Sequence, residues 1–155
     1  MHGWGAWGAS WTWSLVLVAV TIALHVIAVV LIGGGIEKVR GWLLHRGSTY
    51  PDGMTGSIIV IVAIALLLAF MHAVECMIWA VVYLRLGALP SPADAVLYSV
   101  DSMTTRGASG LVLAEQWRLM GAAEAGDGML LFGISTAFLF YVMLRLWKTD
   151  VRLDG

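Results

Sequence analysis

The stretch from Trp11 to Ile32 contains no Asp, Glu, Lys or Arg. Hydrocarbon offers the backbone no water, so every N–H and C=O in such a run must be paired within the segment, and a helix does this. At 1.5 Å per residue a helix of this length crosses the ~30 Å apolar layer of a bilayer. Two further runs follow. One extends from Ser57 to about Leu86, and its first half, Ile58 to Phe70, is wholly apolar. The other extends from Gly128 to Trp147 and is uncharged until Arg145. Of the 155 residues, 60% are hydrophobic and 12% charged, whereas a soluble domain carries about a quarter charged residues. The composition is that of an integral membrane protein with small connections and no separate soluble domain.

Charge placement orients the spans. Residues 1–10 are uncharged and glycine-rich, so they are expected to be loosely ordered. They provide no basic region ahead of the first apolar run, which exceeds a signal-peptide core and is expected to be retained. Trp4, Trp7, Trp11 and Trp13 cluster where interfacial aromatic anchors are expected. Gly33-Gly34-Gly35 is expected to end the first helix, and Pro51-Asp52-Gly53 reads as a turn. Between them lie Lys38, Arg40 and Arg46, and beyond the last span lie Lys148 and Arg152. The positive-inside rule then predicts three spans in the cell membrane, with the N-terminus outside and the C-terminus cytoplasmic. Trp79, Tyr83 and Arg85 suit the outer interface. Asp94, Asp101, Glu115, Glu124 and Asp127 outnumber Arg106 and Arg118 in the segment from Gly87 to Asp127. Its part from 107 to 127 reads as a polar outer linker, where acids either concentrate cations or simply mark a translocated loop. The net charge of −1 gives no reason to expect nucleic acid as a partner.

Between the second and third runs, Ser91 suits a helix N-cap, Pro92 the first helical position and Asp94 the third. The helix pattern breaks at Thr104-Thr105-Arg106-Gly107-Ala108-Ser109-Gly110. A helix of about a dozen residues is roughly 18 Å long, half a bilayer core. Flanked by two spans and followed by small residues, it reads as a re-entrant segment. Irregular backbone at that depth must be buried in protein or line water.

This arrangement resembles the pore module of the tetrameric potassium-channel superfamily over about residues 57–147. Thr104 and Thr105 stand where that family has Thr-Thr before its Val-Gly-Tyr-Gly-Asp filter. Glu115-Gln116-Trp117-Arg118-Leu119 and the run from Gly128 to Ala137 look like its small bacterial members. Arg106, Ala108, Ser109 and Gly110 replace the family's Val, Tyr, second Gly and Asp. The resemblance implies an all-α membrane protein: three transmembrane helices plus a pore helix and filter-like loop, assembled as a homotetramer. Residues 1–55 would be an accessory helix with its cytoplasmic loop, and residues 56–150 the pore module. The implied function is passive permeation of monovalent ions past 104–110, with altered or lost potassium selectivity. A family filter replaces an ion's hydration shell with rings of oxygens. Asp101, His72 and Glu75 would support it, with Asp101, or else Glu75, paired to Arg106 behind the filter. An Arg106 that points at the axis and one that snorkels to outer water both stay open. Gly133, Ser135 and Thr136 would line a cavity or form a hinge, although Gly133 with Ala137 equally suits close helix packing.

Other functions stay open. A non-conducting scaffold or sensor would keep the same fold. His72, Glu75 and Cys76 share a helix face and are all zinc ligands, though a structural role, with Glu75 accepting hydrogen bonds from the pore-helix region, fits them better. His25 and His72 could ligate haem, but His25 reads as lying in the inner half of its span and His72 nearer the middle. No resident metal or cofactor is therefore expected. A single cysteine, Cys76, excludes an intrachain disulfide and suits packing. No catalytic constellation is visible, so the chain is not expected to be an enzyme.

Overall fold

The computed structural model describes residues 3–45, 54–107 and 110–150. Helix α1 spans Gly3–His45, α2 spans Met54–Arg85, α3 spans Pro92–Met103, and a 3-10 turn at Glu115–Trp117 runs directly into α4, Arg118–Asp150. Among the described residues there is no strand. Stretches of α1, of α2 and of the 3-10 turn with α4, namely Trp7–Val39, Met54–Arg85 and Glu115–Leu146, are long and apolar enough to cross a membrane. Ala108 and Ser109 of the filter-like loop, the turn at 51–53, Arg46 and Arg152 lie outside the described residues.

Three boundaries differ from the sequence reading. The glycine triplet does not end α1, which continues to His45. Each glycine costs a helix about 1 kcal/mol relative to alanine. The triplet directly follows the apolar run. Leaving the helix there would strand the carbonyls of the run's last turn, whose helical donors are these glycine N–H groups, and that costs more. The same reasoning carries helix back through the glycine-rich start to Gly3, where loose order was expected. The stretch from Arg118 to Asp127, expected as linker, is the first part of α4.

The chain divides into two compact units: Met1–His25 with Met71–Phe132, and Val26–Phe70 with Gly133–Gly155. In the first, Leu17, Trp79, Tyr83, Met103, Leu113, Met120 and Leu131 are among the buried apolar residues, and α3 is seated among them. Two glycines of α4 bring α3 close. A Cβ at Gly128 would collide with the backbone carbonyl of Met103, and one at Gly121 with the Tyr98 hydroxyl. Segment 111–114 then returns along the α2–α3 connection, where the Ala114 N–H donates to the Ala88 carbonyl at 3.1 Å. In the second unit, Ile64, Leu68 and Val142 form a small apolar core with Val29, Ile32, Ile36, Val60, Phe138, Leu139 and Leu146 against it. Arg145 pairs there with Glu37.

Candidate functional site

Helix α3 begins as its sequence indicates. Ser91 is extended at φ −133° and ψ 153°, and its hydroxyl oxygen accepts from the Asp94 N–H at 3.1 Å. The Ser91 hydroxyl in turn donates to the Asp94 carboxylate at 2.8 Å.

The other end of α3 is a left-handed cap. The Thr105 N–H returns to the Ser102 carbonyl at 2.9 Å, and the Arg106 N–H to the Asp101 carbonyl at 2.9 Å. Thr105 carries the turn at φ 56°. The end of α2 has the same pattern: the Gly87 N–H donates to the Leu84 carbonyl and the Ala88 N–H to the Tyr83 carbonyl, with Gly87 at φ 63°. Glycine suits that position because it has no Cβ. A β-branched residue with positive φ is strained. In α2 the cap is completed by two buried residues, Ala88 and Tyr83. In α3 an ion pair stands in the equivalent place: the Arg106 guanidinium lies 2.6 Å from the Asp101 carboxylate. That hydrogen bond and charge raise the Arg106 pKa above its ordinary value. The expected pairing of Asp101 with Arg106 is present, but not as two buried charges, because the Arg106 side chain is 62% exposed and that of Asp101 2%. Thr104, Thr105, Gly107 and Gly110 are also exposed, with Gly107 and Gly110 at φ 81° and 79°.

A second constellation lies on the facing sides of α1, α2, α3 and α4. Glu75, fully buried, lies between two imidazoles: His25 Nδ1 is 2.8 Å from Oε1, and His72 Nδ1 is 3.1 Å from Oε2. The His25 and His72 ring centroids are 5.0 Å apart, and His72 stacks on Phe132 at 4.1 Å. One helical turn from His25, the Thr21 hydroxyl lies 2.6 Å from Asp127 Oδ2. The same oxygen accepts from Trp79 Nε1, one turn from Glu75, at 3.2 Å. Farther along α2, the Tyr83 hydroxyl donates to Glu124 Oε2 at 2.6 Å, and Ser99 of α3 hydrogen-bonds to Glu124 Oε1. Burying carboxylates costs several kcal/mol each unless donors or cations surround them, and here each has partners supplied by other helices. Burial raises the Tyr98 phenol above its ordinary pKa, against a hydrogen bond with Ser102 that lowers it.

This network revises several expectations. Glu124 and Asp127 do not form an exposed acidic linker; they are 0% and 1% exposed. Trp79 and Tyr83 are fully buried donors to those carboxylates, where interface anchors were expected. The carboxylate that receives α3 is Glu124; Glu75 is held by the two histidines. Cys76 does not join the cluster: its thiol lies 3.4 Å from the Met103 sulfur. His25 and His72 meet despite the unequal depths read from the sequence, because those depths were counted from a helix end that the glycine triplet does not make. Ser135 is buried, while Gly133 and Thr136 are exposed. The polar residues Thr21, Ser99, Glu124 and Asp127 carried a usable signal. In apolar helices, Thr21 with His25 and Glu124 with Asp127 recur at helical spacing. Comparison with protein-family models, curated proteins and solved structures finds no match.

Proposed function

We propose that the chain is a pore-forming membrane protein of the potassium-channel-like class, working as a homotetramer in the cell membrane. The N-terminus would lie outside and the C-terminus in the cytoplasm. Loop 104–110 would line the path of monovalent ions, with potassium selectivity altered or lost. The observation that carries this reading is the seating of α3. A capped helix of 12 residues sits between two membrane-length helices, held by Ser99 on Glu124 and by the close approach of Met103 to Gly128. Its polar end is left exposed. A short helix fixed so firmly serves to position the loop that follows it. Four such loops around an axis would present threonine and glycine oxygens to an ion.

One observation favours a non-conducting scaffold of the same architecture. Thr105 and Arg106 fold back onto α3 through their N–H groups, whereas a ladder of carbonyls needs the chain to run onward. The two readings separate in one preparation. Particle mass in detergent reports the number of chains, and proteoliposomes report flux of sodium and potassium. Tetramers with flux that discriminates little between the two ions support the pore. Tetramers without flux of any ion support the scaffold. Monomers or dimers alone would overturn both.

A further inference from the structure

We infer that His25, His72 and Glu75 form a binding site for a divalent transition-metal ion of the zinc type. One ligand atom from each lies within 4.8 Å of the others, and all three residues are buried. Two imidazoles and a carboxylate are a ligand set that zinc takes, leaving a fourth position open. With metal–ligand bonds of about 2.0–2.1 Å, tetrahedral ligands stand about 3.3 Å apart. The nitrogen–oxygen separations of 2.8 and 3.1 Å, one to each oxygen of Glu75, are close to that spacing, and side-chain rotation would draw the set, which lies within 4.8 Å, around an ion. Both rings contact the same carboxylate, which suits a shared ion and not a macrocycle placed between them. Stacking of His72 on Phe132 limits the ring's rotation.

Charge points the same way. A buried dication with one carboxylate retains a positive charge, which is costly away from water. Asp127 lies one helical turn from the cluster, about 6 Å along the axes, through its bonds to Thr21 and Trp79. It brings a second carboxylate, so that metal, Glu75 and Asp127 together are neutral. Both of those bonds fall on Oδ2, and Oδ1 is buried with no hydrogen-bond partner among the described residues. A polar atom so placed is expected to serve a ligand or water nearby. The bound ion would hold α1 to α2 within the first unit, whether or not loop 104–110 conducts.

The test uses the full chain in detergent, stripped with a chelator and titrated with Co²⁺ and then Zn²⁺. The expected result is one Co²⁺ bound per chain, with visible absorption bands that Zn²⁺ abolishes. X-ray absorption of the wild-type complex should show imidazole scattering and only nitrogen or oxygen neighbours at about 2.0–2.1 Å. His72→Gln and Glu75→Gln should each weaken binding by at least about 100-fold, and Cys76→Ser should leave it unchanged. The inference is overturned by the absence of saturable binding to folded wild-type protein, by sulfur at about 2.3 Å, or by binding undiminished in both variants. If a variant does not fold, the wild-type titration and absorption spectrum decide alone.

Discussion

The two compact units draw on the same three long helices, yet they are held in different ways. In the first, three buried carboxylates each have partners on other helices, and glycines let α3 come into backbone contact with α4. In the second, cohesion comes from a few apolar side chains around Ile64, Leu68 and Val142, with one half-exposed ion pair. Lipid is as apolar as leucine, so burying leucine between helices gains little beyond contact. Specific association in such a medium comes from close packing at small residues and from hydrogen bonds. The difference predicts that the first unit fixes the position of its helices far more stringently than the second.

The largest effect should come from Gly128. Gly128→Ala puts a methyl group against the Met103 carbonyl, a backbone atom that cannot turn aside. Overpacking of this kind costs about 3 kcal/mol. Gly133→Ala, with open space around its Cβ, should change stability by less than about 1 kcal/mol and stabilise if anything. Thermal melting of both variants in detergent checks the contrast, and equal melting points would remove the seat of α3 on α4.

Next comes Glu124. Glu124→Ala leaves the Tyr83 hydroxyl without its acceptor, while Ser99 keeps the Cys76 carbonyl at 2.8 Å, a loss of about 2 kcal/mol in unfolding measurements. A double-mutant cycle of Glu124→Ala with Tyr83→Phe should give a coupling of roughly 1 kcal/mol, the upper range for hydrogen bonds between membrane helices. No coupling would show that the carboxylate is an incidental passenger.

Smaller still is the contrast between the two helix caps. Thr105→Gly should raise stability by about 1 kcal/mol, because it relieves positive φ at a β-branched residue. Gly87→Ala should lower it by a similar amount. A gain in melting temperature with a change in ion flux for Thr105→Gly would mark the strain as serving the loop's function. The smallest effect belongs to the second unit. Glu37→Gln breaks a pair whose side chains are 50% and 53% exposed, and should cost less than about 0.5 kcal/mol, vanishing in high salt.

Local signals were legible. The apolar runs, the Ser91-Pro92-Asp94 start of α3 and the pairing of Asp101 with Arg106 all depend on residues close together in the chain. Helix ends next to apolar runs were less legible, since Gly33-Gly34-Gly35 breaks helices in water but not where the preceding turn's carbonyls would be left facing hydrocarbon. The partners of the carboxylates were not legible at all. The spacing of Glu124 and Asp127 fits one helix face, but it becomes informative only once α4 is known to begin at Arg118, which carries them into the packed interior.

What the amino-acid order determined by itself is that three segments become long helices and one becomes a short capped helix, because hydrophobicity and capping act within a few residues. Only the tertiary structure decided that Glu75 belongs to His25, Asp127 to Thr21 and Trp79, and Glu124 to Tyr83 and Ser99. Each of those choices depends on the sliding register of one helix against another. A shift of a single turn, about 5.4 Å, would leave every local preference satisfied and every one of these carboxylates without its partners.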